Sequence, residues 1–267
     1  MERLLDDSDL MARVRSSSLI MELGASDFAP ASISGLVAWW DFTDRSTLWK
    51  NQAATVPVTA DGDIILAVTD KSGHGNIVTD VTAGPTYKVN ITNGNSVGRF
   101  DGVNDFLWTD NALSTSLSEP YTAFLVGTQT ALGEVNSPWT DGTAGRAHLV
   151  LGGTGVGAAF WGMFFGGGVT ASTKAEDTNP HVFDVVAQNS AIWRCDGGAD
   201  RNGGVNGGNP SLTNFQFCSN SKAGGSSYAA VDFMHVLLYS GQMSNSNMNV
   251  LGSYLASKAG TTWTPVS

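Results

Sequence analysis

Charge is in short supply in this chain. Only 14% of its 267 residues are charged, and acids outnumber bases 24 to 14, which leaves a formal net charge of −10. A surface of that sign repels a phosphate backbone, so nucleic acid is excluded as a general partner, and neutral or weakly charged ligands fit better. Long apolar runs are missing too. None reaches the roughly 20 residues that span a bilayer, so no membrane partner is expected. The opening "MERLLDDSDLMARVRSSSL" is acidic and polar where an export signal is basic and then continuously apolar. The chain is therefore expected to be made in a cytoplasm. Cysteine is limited to Cys195 and Cys218. In a reducing compartment these are expected as two free, buried thiols rather than a disulfide.

Glycine is plentiful, with 32 residues, and there are eight tryptophans. Short β-branched or aromatic runs bounded by Gly, Asn, Asp or Pro read as strands: Leu36–Phe42, Tyr121–Gln129, His148–Gly153, Ala158–Gly166, His181–Gln188, Ala191–Gly197 and Val231–Ser240. So many short strands with turns between them indicate a sandwich or a barrel. "GGADRNGGVNGGNP" reads as a long flexible loop. One helix is expected near the C-terminus, with Ser244 as N-cap, an apolar stripe of Val250, Leu251, Tyr254 and Leu255, and Gly260 as its stop. Residues 1–34 differ from the rest. Leu4, Leu5, Leu10, Met11, Val14, Leu19, Ile20 and Leu23 give a loosely helical apolar spacing, broken by Ser16–Ser18 and followed by a Pro30-containing linker. Such a segment cannot bury its apolar side alone, so 1–34 is expected to be a docking or oligomerisation arm and 35–267 the β domain.

Five segments in order, "GLVAWWDFTD", "VTDKSGHGNIVT", "PTY", "VGRFDGVNDFLW" and "YTAFLVGT", resemble the concanavalin A-like lectin/glucanase superfamily in its laminin-G-like branch. "WRCDGG" and "FMHVLLYSGQMSNSNMNVLGSYLASKAGTTW" extend the resemblance over roughly 35–265. It implies an all-β fold, a two-sheet antiparallel jelly-roll sandwich with one short C-terminal helix. It also implies that Phe100 and Phe106 point inwards while Asp101, Gly102 and Asn104 turn a corner. Two readings of the Asx-rich corners stay open. Asp and Asn side chains hold turns by accepting backbone N–H groups, and they are also the hard oxygen ligands that suit calcium, an ion many laminin-G-like modules carry. The calcium candidates are Asp70, Asn76, Asp101, Asn104 and Asp105.

Because the superfamily includes glucanases, catalysis has to be weighed. Retaining glycoside hydrolysis needs two carboxylates about 5 Å apart. The chain has five glutamates, Glu2, Glu22, Glu119, Glu134 and Glu176, and none has acidic partners at strand spacing. Glu176 and Asp177 are adjacent and would face opposite sides of a strand. Cys195 sits in an apolar strand and reads as core rather than as a nucleophile beside His74, His148, His181 or His235. The glycines of Gly152–Gly157 lack the lysine and helix of a phosphate loop and read as a hairpin. The expectation is that the chain is not an enzyme.

Sugars are recognised by aromatic faces with polar groups beside them, which makes the tryptophans the binding candidates. Trp49 and Trp139, in polar contexts, are expected as exposed platforms. Of Trp39 and Trp40 one must face the core, and Trp40 is taken as the third platform. A short arm, a single jelly roll and no export signal resemble bacteriophage virion surface proteins, in which laminin-G-like modules serve as fibres, spikes and capsid decorations. That resemblance implies a homo-oligomer, a trimer foremost, docked through the arm onto other virion proteins, with the jelly roll on host-surface glycan. The alternative is a decoration or cement protein without a glycan ligand.

Overall fold

The computed structural model describes residues 28–80, 83–109, 112–132, 136–140, 147–151, 160–165, 168–188, 190–199, 201–205, 211–218 and 228–267. Most of the arm, including its apolar spacing, lies outside the described residues, as does the Gly152–Gly157 hairpin. The chain divides into two compact units, Met1–Ile33 and Ser34–Ser267. Of the first, the described part holds a single 3-10 turn, Pro30–Ser32, whose proline occupies the first turn, where its missing N–H costs nothing.

The second unit is a β-sandwich with one helix, and its described residues form seventeen strands in two sheets, every described strand pair antiparallel. In chain order the strands are β1 (Leu36–Asp41), β2 (Leu48–Trp49), β3 (Ala67–Val68), β4 (Val78–Thr79), β5 (Thr86–Thr92), β6 (Asn95–Asp101), β7 (Leu107–Thr109), β8 (Tyr121–Gln129), β9 (Asn136–Thr140), β10 (Ala147–Leu151), β11 (Phe160–Phe165), β12 (Gly168–Ala175), β13 (Pro180–Ala187), β14 (Ser190–Cys195), β15 (Arg201–Val205), β16 (Gln216–Phe217) and β17 (Ala230–Ser240). Sheet one runs β15-β14-β13-β8-β17-β6-β5, with β1 also paired to β17. The long β17 thus has β8 along one edge, while β6 (against Ala230–Phe233) and β1 (against His235–Tyr239) share the other. Sheet two runs β12-β11-β10-β9-β16-β7-β4-β3-β2.

Phe217 joins the layers. From sheet two its ring packs on Phe100 (6.1 Å between centroids), Phe233 (5.4 Å), Phe42 (5.5 Å) and Trp40 (5.7 Å). The central strands of sheet one, β8, β13 and β17, are buried on both faces. Leu125, Phe183, Val185, Trp193 and Val236 belong to the inter-sheet core, while Phe124 packs on Trp263 at 6.1 Å and Arg194, paired with Asp184 at 2.6 Å, touches Met248 of the helix. That double burial is why β8, β13 and β17 read as continuous apolar runs instead of alternating ones. Strand edges are managed by a loop. Ile65 and Leu66 bond Pro85 and Trp49, and Tyr87 and Asp63 pair across the edge of β5, which links the ends of the two sheets and leaves less edge open for pairing with another chain.

The helix, α1 (Asn245–Ala259), starts at Ser244, whose side chain accepts from Asn247 N–H, and ends at Gly260 with φ 74°. Its buried face is Met248, Leu251, Gly252, Leu255, Ala256 and Ala259, with Val250 47% exposed. The expected stripe is corrected accordingly: Leu251 and Leu255 hold, Val250 faces water, and the small residues let the helix lie close to Trp263. The glycine-rich loop is corrected as well, because Arg201–Val205 forms β15 on the edge of sheet one. Cys195 and Cys218 are both buried and are not joined in a disulfide, as expected.

Candidate functional site

The two Asx-rich corners form as separate units. In the first, Asp70 Oδ1 accepts N–H bonds from Trp39 (2.8 Å) and Ser72 (2.7 Å), and Oδ2 accepts from Ser72 Oγ (2.6 Å) and Asn76 N–H (3.2 Å). Asn76 donates its amide to Val37 O (2.8 Å), accepts Ser114 N–H on Oδ1 (2.7 Å), and takes the Trp40 indole N–H on its backbone carbonyl (2.7 Å). These bonds fasten the 70–76 turn to β1. In the second corner Asp101 Oδ1 accepts from the backbone of Val103 (2.7 Å) and Asn104 (3.1 Å), and Asp105 Oδ2 accepts Asp101 N–H (2.9 Å), around Gly102 at φ 76°. Phe100 and Phe106 are buried, as the resemblance implied. Burial, then the charges of Asp101 and Asp80, push the Asp105 carboxyl up to about 7 against the opposing pull of the Asp101 N–H.

The five calcium candidates therefore do not converge. Asp70 is tied to Trp39, which pairs with Leu237, whereas Asp101 pairs with Ala230. Those two positions are seven residues apart along β17, about 23 Å of strand.

Trp40 is corrected outright. It is fully buried, its ring packed at a tilt against Phe215 with centroids 4.9 Å apart, and its N–H is spent on Asn76. Trp39 is 8% exposed with the Lys71 ammonium 4.5 Å over its ring. Lys71 also pairs with Asp41 (2.9 Å) and Asp44 (2.7 Å). Trp139 lies on β9, in register with Phe217, and its side chain is outside the described residues. Trp49 is half-buried on β2, its N–H 3.3 Å from Thr69 Oγ1.

Register adds a residue that the sequence reading passed over. Trp49 pairs with Ala67, Ala67 with Thr79, Thr79 with Trp108 and Trp108 with Gln216, one continuous cross-strand row. Directly opposed residues share a sheet face. The alternate row, Leu48, Val68, Val78, Leu107 and Phe217, is core, so the Trp49 row lies on the face away from it, where Ala67, Thr79 and Gln216 are themselves buried. Trp49 and Trp108 are its half-buried members, three strand spacings or roughly 14 Å apart. At the end of the same strands, Gly75, Asn76, Ile77, Thr109, Ala112 and Ser114 line a hollow of about 110 Å³. That is well below the roughly 300–1,000 Å³ of a pocket that encloses a drug-sized ligand, so it suits an end group.

No family model matches the chain, and no curated protein matches its sequence. Solved structures do match in fold. Domain 4 of AbnA, a GH43 extracellular arabinanase from Geobacillus stearothermophilus solved with arabinotriose, superposes with a TM-score of 0.54 at 11% identity, covering 84% of this chain and 98% of that one. A GH54 α-L-arabinofuranosidase gives 0.59 at 15% identity, over 84% of this chain and 63% of that one. Trypanosoma rangeli sialidase, solved with sialic acid, gives 0.53 at 15% identity, over 97% of this chain but 40% of the sialidase. The chain thus spans well under two thirds of the sialidase. These likenesses define the class, an all-β sandwich of the kind found in carbohydrate-active proteins, and at such identities they concern fold alone. They also correct the expectation that catalysis is excluded, since glycoside hydrolases stand among the chains of this fold.

Proposed function

We propose that this chain is a glycan-binding β-sandwich, with sheet two's outward row as its sugar-binding face. The observation that carries the reading is the placement of Trp49 and Trp108 in one cross-strand row, both of them half-buried rather than enclosed in the core. Tryptophan offers a large flat apolar surface with little entropy to lose, which suits the C–H face of a pyranose or furanose ring. The hollow beside Asn76 has two hydroxyl residues, Thr109 and Ser114, in its lining to meet an end residue. The complex of the AbnA domain with arabinotriose supports the choice of ligand class.

At a finer level, the laminin-G-like motifs and the arm support a virion surface protein, a fibre, spike or capsid decoration. Its ligand is then host-surface glycan, and its residues 1–34 join three copies to one another and to the particle. The test is a panel of host-surface polysaccharides and arabino- and sialo-oligosaccharides, run with calcium and with EDTA, alongside an assay for released reducing ends. Saturable binding of a glycan supports the reading. Release of reducing ends replaces binding with hydrolysis as the function, and silence across the panel leaves the cement-protein alternative.

A further inference from the structure

The hairpin of β13 and β14 gathers a set of side chains that the glycan reading does not use. Phe183 pairs with Cys195, so His181, two residues earlier on the same face, sits diagonally across from Cys195 and beside the turn that starts at Asp196. His181 Nδ1 is 2.7 Å from Asp196 Oδ2, and Cys195 Sγ is 3.7 Å from the same oxygen. The three ligand atoms all lie within 4.8 Å of one another, with His181 and Cys195 buried and Asp196 partly so.

We propose that His181, Cys195 and Asp196 form a binding site for a divalent transition metal, zinc foremost. The donor set is an imidazole, a thiolate and a carboxylate, the mixture zinc takes in tetrahedral geometry. Bonds of about 2.0–2.3 Å to such ligands place them roughly 3.3–3.7 Å apart. The S–O separation already has that value, and the N–O pair must open by about half an ångström. The surroundings are arranged as a metal site requires. His181 Nε2 lies 2.9 Å from Asp177 Oδ1, so its N–H can donate there and leave the Nδ1 lone pair for the ion. That is the carboxylate–histidine arrangement that fixes tautomer and ring orientation. Asp196 Oδ1 accepts Val182 N–H (3.0 Å), which aims Oδ2 at the other two ligands. The turn itself is clamped, with Asp196 N–H on Val182 O (2.7 Å) and Thr264 N–H on Asp196 O (2.9 Å). Three protein ligands leave a fourth position for water or another donor, and Asp196 and Asp177, 15% and 36% exposed at their side chains, mark the solvent side. Binding displaces the proton shared between Nδ1 and Asp196 and the thiol proton.

The test is cobalt and zinc titration of the full, untagged chain after treatment with EDTA. Cobalt is expected to bind at one equivalent per chain with a thiolate-to-cobalt charge-transfer band in the near ultraviolet, and zinc to raise the melting temperature. Cys195→Ser abolishes the band while Cys218→Ser keeps it. Asp177→Asn keeps the stoichiometry and weakens affinity by about 10–100-fold. Near-ultraviolet circular dichroism of each variant confirms that it is folded. Failure of the folded wild type to bind either ion, or cobalt binding without the thiolate band, overturns the site and shows instead a histidine held between two carboxylates. Glycan binding is read separately, so either proposal fails without the other.

Discussion

At Gly252 the usual effect of a helical glycine reverses. Replacing an interior helix glycine by alanine ordinarily gains roughly 0.5–1 kcal/mol, yet a Cβ here would stand 2.3 Å from the Trp263 ring. Gly252→Ala should therefore destabilise by about 1–3 kcal/mol, the usual cost of overpacking, as measured by urea denaturation; a gain in stability would contradict the packing described. Gly102→Val is expected to cost about 1 kcal/mol or more, because its φ is 76° and its Cβ would meet Ala230 at 3.0 Å. Asp105 makes stability depend on pH. Its carboxyl rises from 3.8 to about 7 on folding, so between about pH 4 and 7 the folded chain holds a proton that the unfolded chain has released. Stability contributed by that group falls as pH rises across the window. Asp105→Asn keeps an acceptor for Asp101 N–H without the charge. It should flatten the profile and be the more stable form at pH 8, and parallel profiles in urea at pH 5 and pH 8 would count against this.

The elements differ in how openly the sequence announces them. Strands such as β8 and β17, apolar on both faces, are plain in sequence, and so is a helix capped by Ser244 and Gly260. β15 is not, because Arg201–Val205 carries no apolar pattern and is a strand only through the backbone bonds β14 offers. The candidate site was legible in part for a related reason. Asp70, Asn76 and the Asp101–Asp105 corner stand out as turn chemistry, but whether their oxygens are spent depends on what packs against them. Trp108 joins Trp49, and His181 joins Cys195, only through strand register, which no local pattern encodes. Alternation places one of two adjacent tryptophans outside but does not say which: Trp39 is that one, covered by Lys71, while Trp40 lies in the core with its N–H on Asn76. The 70–76 turn gives a prediction at this scale. Asp70→Ala leaves Trp39 N–H and the turn's own donors unmatched, so it should cost about 1–3 kcal/mol. An equal loss of melting temperature with calcium and with EDTA would mark the carboxylate as a fastener of β1, and a loss seen only with calcium would mark it as a ligand.

For the whole molecule, the division at Ile33/Ser34 predicts that residues 34–267 fold alone with the melting temperature of the full chain. If the arm carries assembly, light scattering will show this fragment as a monomer and the full chain as an oligomer; an unchanged oligomer would place assembly in the sandwich. The central claim is that the outward face of sheet two holds sugar. It is tested most directly by isothermal titration of Trp49→Ala and Trp108→Ala with the strongest glycan from the panel, each variant first shown to be folded by near-ultraviolet circular dichroism. Each is expected to weaken binding by about tenfold or more, equivalent to ~1.4 kcal/mol. Wild-type affinity in both folded variants would contradict the account.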